Sequence, residues 1–428
     1  MSRFRQTPVS GAPRVVVVGM GFGGLATVRT LSGAGLRVTL VDRDVYSTFQ
    51  PLLYQVATGG LTPSDVAYPL RGFAHKYGGH FVRGELRSVD AGERTITLAD
   101  GSQIPYDYLI LATGVAAAFY GVTGADKHSF ALYTRRDAVA LRDQIMAGLE
   151  QLSSAERGRE TSLTVVGGGP TGVELAGTLA ELRNIALATA FPEIDRSRVH
   201  IKLVEMAPAL LSGYVPKLQE YAHQQLLDRG VEVRLNTTIK EITPDHVVLS
   251  GGETVHSDLT VWAAGVRGPE AADDWGVPLG RGGRVQVGPD LRVIGQDRIF
   301  AIGDIALTGD DPLPQLAQPA LQMGRFAADQ VVRLVAGRPT GRFSYHDKGI
   351  VATIGRRSAV VQLPYHVRIR GTLAWIAWFG LHIVTLLGSR NRISALINLS
   401  YRYLSWGRGG SVLMDSDPPD TWPPRRGA

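Results

Sequence analysis

Short runs of β-branched and aliphatic residues recur along this chain, and the first is Arg-Val-Val-Val-Val over 14–18, ahead of Gly19. A run without polar alternation, too short for a helix, predicts a strand buried on both faces, as in a parallel sheet. Gly19, Gly21, Gly23 and Gly24 follow at once, then helix-forming residues from Leu25 to Leu31, then a strand over 37–41 that ends in Asp42. The same order returns later. A strand over 162–166 leads into Gly167, Gly168, Gly169, Pro170, Thr171 and Gly172, and a strand over 200–204 ends in Glu205. The stretch 184–198 is longer than its counterpart in the first copy and predicts an extra turn. Largely apolar runs at 106–112, 259–264 and 300–302 lead into Gly114, Gly265 and Gly303, and predict strands returning to the two sheets. Strands alternating with helices in this way predict an α/β fold.

The C-terminal pattern differs. Residues 371–388 are the most apolar stretch, slightly short of the ~20 residues a spanning helix prefers, and His382 and Thr385 interrupt it. Ser389, Arg390, Asn391 and Arg392 follow; then Ile393, Leu396, Ile397 and Leu404 fall at helical spacing. Tyr401, Tyr403 and Trp406 stand beside Arg402 and Arg408. Such a pattern predicts one or two amphipathic helices lying in a membrane interface, basic residues toward anionic headgroups. A buried core helix, a dimer interface and a true span are the alternatives. His382 is read as a packed, hydrogen-bonded residue rather than a catalytic one. Residues 1–13 read as a flexible lead without an apolar core of signal-peptide length, and 415–428, rich in proline and charge, as a disordered tail.

Composition narrows the chemistry. With 428 residues, 44% of them hydrophobic, the chain can bury more than one core. It has no cysteine, which excludes disulfides, thiolate-held zinc or iron–sulfur clusters, and a redox dithiol. Redox chemistry must then use a bound organic cofactor. A net charge of +6 suits phosphate ligands or an anionic membrane as well as nucleic acid. No nucleic-acid motif and no metal-ligand cluster stands out, so neither partner is expected.

Both glycine loops have G-x-G-x-x-G spacing between a strand and a helix. The glycines serve a tight turn, close approach of backbone to pyrophosphate, and close helix–strand packing; the helix N-terminus supplies N–H groups to the anion. Asp42, at about the ~20-residue distance where a carboxylate accepts from ribose, completes the first site. Glu205 completes the second, where it would repel a 2′-phosphate and favour NADH; Arg196 and Arg198 leave NADPH open.

Two such loops, with Gly303-Asp304 after a late strand, resemble the glutathione-reductase-like flavoproteins, in which an NADH domain is inserted in a FAD domain. Four further elements narrow the likeness: Phe49-Gln50-Pro51-Leu52-Leu53-Tyr54, Ala317-Gln318 with Gln322, Asp347-Lys348-Gly349, and the second loop running into Val173-Glu174. With these the chain resembles the type II NADH:quinone oxidoreductases from about residue 14 to 413. The resemblance implies non-covalent FAD held by Gly19, Gly21, Phe22, Gly23, Gly24, Asp42 and Arg43. Gln50, Pro51, Leu52, Leu53, Leu86, Ala112, Thr113, Gly114, Gly303, Asp304 and Lys348 would complete that site. NADH would take Gly167 to Gly172, Val173, Glu174, Glu205, Ala264 and Gly265.

Gln318 and Gln322 would border the quinone, where an amide donates to a carbonyl without leaving charge in an apolar tunnel. Lys348 would favour electron-rich flavin, and Glu174 would orient the carboxamide or move a proton. The expected reaction carries two electrons from NADH through FAD to a membrane quinone, without proton pumping. The expected domains are FAD-binding (14–120 and 266–340), NADH-binding (121–265) and membrane-associated (341–414). A homodimer on the cytoplasmic face of the inner (plasma) membrane is the expected setting. A soluble NADH-dependent reductase of a ferredoxin- or rubredoxin-like protein is the alternative, though it needs neither the glutamine pair nor the apolar end.

Overall fold

The computed structural model describes residues 11–154, 159–309 and 312–404. The lead up to Ser10, the residues from 405 onward with Trp406 and Arg408, and the tail 415–428 lie outside them. The described chain forms two compact units, each assembled from three segments.

The first unit takes Met1–Ser47, Tyr68–Ala116 and Val266–Asp347. Its centre is a five-stranded parallel sheet in the order Ile299–Ala301, Tyr108–Leu111, Arg14–Val18, Arg37–Asp42, His80–Arg83. Val15, Val17, Leu40, Leu109, Ile110 and Phe300 are fully buried, which is why these strands read as continuous apolar runs. The lead is shorter than the sequence suggested. Arg37 donates from its backbone to the Pro13 carbonyl and from Nε to that of Ala12, so the chain is already held at residue 12.

The helix after the first loop begins at Phe22 rather than Leu25 and runs to Leu31. It packs along the helix Ala317–Val335 with the backbones in close approach at Gly23 and Gly324. Thr27 Oγ1 bonds both the Gly23 and Gly324 carbonyls, at 3.0 and 3.1 Å. A Cβ at Gly324 would collide with the Gly23 carbonyl oxygen, so only glycine permits this crossing.

The second unit takes Thr48–Ala67, Ala117–Gly265 and Lys348–Ala428. Its five parallel strands run Phe130–Ala131, Leu259–Trp262, Thr161–Val166, Val199–Val204, Val231–Arg234. The expected extra turn is present as a π-helical turn over Leu182–Ala186, a short helix over Leu187–Ala190 and a 3-10 turn over Arg196–Arg198. A separate antiparallel sheet, Ile350–Gly355, Ser358–Gln362 and Arg368–Arg370, packs on the helix Pro170–Glu181. The contact is close because a Cβ on Gly177 would lie 2.7 Å from the Ile354 carbonyl carbon.

Two assignments read from the sequence shift here. Residues 48–67, read with the FAD domain, group with the second unit. Leu52, Leu53, Tyr54, Val56 and Ala57 are all buried, and their helix packs on Arg135–Ser154 and Pro170–Glu181. The C-terminal region joins the same unit through the helices Thr372–Thr385 and Ser389–Leu404. No described helix is long and apolar enough to cross a membrane.

Candidate functional site

The two glycine loops can be compared atom by atom. At each first glycine the chain turns at positive φ, +94° at Gly19 and +107° at Gly167, a conformation that favours glycine. A Cβ would strike the backbone of Ala112 at Gly19, and that of Ala263 and Ala264 at Gly167. Each third glycine, Gly24 or Gly172, packs beneath the carbonyl of the first. Each middle glycine differs: a Cβ on Gly21 or Gly169 would meet no protein atom within 4 Å. Open space before a glycine that heads a helix is where a pyrophosphate can approach the backbone.

The carboxylates repeat as well. Asp42 accepts from the Met20 N–H at 2.6 Å and the Asp44 N–H at 2.9 Å; burial raises its pKa and these two bonds offset part of the rise. Glu205 accepts from the Gly168 N–H and from the Ala207 N–H at 2.7 Å. Each carboxylate is thereby fixed beside its loop with lone pairs left for ribose hydroxyls. The arginines that left NADPH open stand elsewhere. Arg196 and Arg198 precede the six-residue strand whose far end leads into Glu205, roughly 20 Å away at strand rise.

Other residues expected at the flavin belong to the first unit as well. Thr113 follows Ala112, and its buried Oγ1 has no protein partner, as a ligand-facing hydroxyl would. Gly303 turns at φ +69° and donates to Met323 Sδ at 3.1 Å. Burial lifts the Asp304 carboxyl to about 6, against the pull of Arg284, which donates to the Asp304 carbonyl at 2.9 Å. Leu86 is buried, and its carbonyl accepts from Trp275 Nε1 at 3.3 Å. Arg43 is exposed beside Glu85, 3.8 Å away. The residues present fit a flavin dinucleotide.

The glutamine pair separates. Gln318 and Gln322 both belong to the helix Ala317–Val335 and are half-buried. Gln322 is engaged twice with His346: Nε2 donates to its carbonyl at 2.9 Å and Oε1 accepts its N–H at 3.0 Å. An amide clamped in this way holds the 345–347 loop in place. The sequence expectation gives both amides to the quinone; the partner of Gln322 lies 24 residues away, where no local pattern points to it.

In the second unit Glu174 is buried, accepts a 3.2 Å bond from the Thr353 N–H, and is pushed up to about 8 by burial. The Trp378 indole lies close enough to oppose that rise, although its N–H falls short of hydrogen-bond geometry. The Tyr54 and Tyr214 hydroxyls are buried without partners, and Glu174 contributes to raising both phenols, after burial itself. This buried polar cluster joins residues that share no motif, so the sequence does not reveal it. Gln50 donates to the Tyr133 carbonyl at 3.5 Å, and Lys348 is exposed at the head of the strand Ile350–Gly355. His382 is buried, bonds the Trp378 carbonyl at 2.7 Å and is lowered to about 4 by burial.

The C-terminal helix carries a correction too. Arg402 and Tyr403, read as facing headgroups, are buried. Arg402 donates to Gln55 Oε1 at 2.6 Å, and Gln55 Nε2 donates to the Tyr403 hydroxyl at 3.3 Å. One turn back, Ser394 and Asn398 donate to the buried Asp65 at 2.5 and 2.8 Å. The polar face points inward, while Ile393, Leu396, Ile397 and Tyr401 are exposed.

Comparison with known proteins accords with this geometry. Residues 13–324 match the pyridine nucleotide-disulphide oxidoreductase family. The chain is 36% identical to a type II NADH:quinone oxidoreductase of Mycobacterium tuberculosis, covering 96% of this chain and 91% of that protein. The chain belongs to the type II NADH:quinone oxidoreductases. A Staphylococcus aureus protein of that name is 30% identical over 81% of this chain and 89% of its own length. The fold is shared with NDH2 from Plasmodium falciparum, solved in complex with NADH: TM-score 0.86 at 19% identity, over 93% of this chain and 99% of that one. A sulfide:quinone oxidoreductase from Aquifex aeolicus shares it as well, at TM-score 0.74 and 22% identity, over 90% and 92% of the two chains. In this chain the absence of cysteine leaves no thiol for sulfide chemistry.

Proposed function

We propose that this protein oxidises NADH through non-covalently bound FAD and passes two electrons to a membrane quinone. The observation that carries the reading is the pair of glycine cradles, each with its middle glycine open and a carboxylate fixed beside it. FAD, when bound, supplies the two-electron relay between the nucleotide and the quinone. In the first unit Gly19 to Gly24, Asp42, Thr113 and Asp304 would hold it, and the family resemblance adds Gln50 to Leu53 and Lys348. Gly167 to Gly172 and Glu205 take NADH. The buried carboxyl of Glu174 is protonated near neutral pH, so it can hand over a proton as quinone is reduced. Gln318 is the amide that meets the quinone, and Gln322 fixes the loop beside it.

The membrane part of the reading rests on the last two helices. Leu373, Ile376, Leu381 and Val384 of the first, with Ile393, Leu396 and Ile397 of the second, present large apolar side chains to solvent. An apolar face that stays outside while polar groups turn inward suits a lipid surface, and the basic Arg390 and Arg392 suit anionic headgroups. The cytoplasmic face follows from where NADH is supplied. A homodimer could cover the same surface.

The test is NADH oxidation by purified, FAD-loaded protein with a short-chain quinone, set against NADPH and a ferredoxin. Turnover with NADH and quinone, slower with NADPH and absent with ferredoxin, is the expected result. Turnover with ferredoxin but not quinone would overturn it. Sedimentation with anionic vesicles tests the membrane face, and light scattering without lipid tests the dimer.

A further inference from the structure

Tyr120 has a backbone and a position that packing does not explain. Phe119 and Val122 are anchored in the core around Trp262: Phe119 lies 5.7 Å from that ring, and both pack on the cluster of Val166, Val204 and Ile242. Between them the chain makes a tight turn, closed by the Val122 N–H on the Phe119 carbonyl at 3.0 Å. Both central residues have positive φ, +49° at Tyr120 and +74° at Gly121. That is the type I′ pattern, which favours asparagine or glycine at both places. A bulky aromatic there is a strained choice.

Tyr120 is 69% exposed, so burial does not offset the strain. It lies instead across Gly265, where a Cβ would come within 2.6 Å of Tyr120 Cε2. The segment is pinned there from below: Trp262 Nε1 donates to the Ala118 carbonyl at 2.7 Å, and the Ala118 N–H to the Gly265 carbonyl at 3.0 Å.

Topology says what Gly265 borders. In the second sheet the strand Thr161–Val166, which ends at the glycine loop, has Val199–Val204 on one side and Leu259–Trp262 on the other. Glu205 follows the first neighbour and takes the adenosine ribose. Pyrophosphate sits over the middle loop, so the nicotinamide half must leave across the other neighbour, past Ala264 and Gly265.

We propose that Tyr120 is a gate on the nicotinamide half of the NADH site, its ring lying over the ground this half must cross and swinging out when nucleotide binds. The inference rests on the assignment of the second loop to NADH. A closed ring competes with nucleotide: closed about nine-tenths of the time, it raises the apparent dissociation constant about tenfold. Exposure leaves the ring free to move, and the αL backbone keeps its resting place over Gly265.

The experiment measures equilibrium binding of NAD+ and of AMP to the FAD-loaded protein by calorimetry. AMP reaches Glu205 but not Gly265. In Tyr120→Asn, which removes the ring and keeps a residue suited to the turn, NAD+ should bind roughly 3–10-fold tighter and associate faster, with AMP unchanged. Tyr120→Gly should repeat this, and Tyr120→Phe, which keeps the ring, should match the wild type. Unchanged or weaker NAD+ binding in both ring-free variants overturns the gate, as does an equal shift for AMP. The underlying assignment fails separately: it falls if Gly169→Val still binds NAD+ and AMP as the wild type does.

Discussion

A valine at Gly21 or Gly169 would meet no protein atom within 4 Å at its Cβ, and both positions have ordinary negative φ, −76° and −71°. Neither substitution should disturb the fold, yet each fills the space a pyrophosphate would take. Gly21→Val is expected to purify folded but without flavin colour; Gly169→Val should keep its flavin and lose NADH-dependent bleaching. Retained flavin in the first, or retained bleaching in the second, would remove the corresponding loop from its role.

Glu174 gives a pH-dependent expectation. Its carboxyl stands at about 8 in the folded protein against an ordinary 4.5, because burial disfavours the charge. The folded state thus holds a proton that the unfolded state releases, so stability is full below about 4.5 and is lost as pH rises toward 8. Glu174→Gln removes that dependence. The melting temperature of the variant relative to wild type should climb between pH 5 and 8 and level off above it, following the window set by the displaced carboxyl. A difference that stays flat would mean the carboxyl ionises normally.

At the scale of elements, the helix Ser389–Leu404 is held by buried Ala395 and Leu399 and by a set of polar bonds. Asp65 accepts from Ser394, Asn398 and the Thr62 N–H, at 2.5, 2.8 and 2.8 Å. Asp65→Ala would strand these donors and should cost about 2–4 kcal/mol. Faster amide exchange over 389–404 is the signature; exchange at the wild-type rate would show that apolar packing alone holds the helix. The opposite face predicts the reverse. Ile393→Glu with Ile397→Glu should shift stability by less than about 0.5 kcal/mol per site. Losing two apolar side chains worth about 1.5–3 kcal/mol each should reduce vesicle binding at least tenfold. Periodicity in the sequence made the two faces visible but not their direction. An apolar stripe at helical spacing ordinarily packs inward; here Asp65, Gln55 and Thr58 on another segment bind the opposite face.

For the whole molecule, ligand linkage gives one more expectation. A ligand at 100 times its dissociation constant adds about 2.7 kcal/mol to the state that binds it. FAD-loaded protein should melt above FAD-stripped protein, and NAD+ should raise the melting temperature again. Gly21→Val should melt with the stripped form. A stripped protein that melts with the loaded one would mean flavin contributes nothing to holding the fold.

Much of this protein was legible before any coordinates: two parallel sheets, two glycine loops, the carboxylates that follow them, and an apolar C-terminal end. These depend on neighbours within one strand–turn–helix unit, where local chemistry settles the outcome. Asp42 reaches Met20 because adjacent parallel strands bring a strand end beside the loop, and the spacing alone encodes that. The tertiary structure decided what local pattern cannot reach. Segment 48–67 packs with the second unit, Gln322 is bound to His346, Arg402 points inward, and Tyr120 lies on Gly265 across 145 positions of chain. Each is a contact between residues far apart in sequence, and periodicity within one element carries no information about a partner on another.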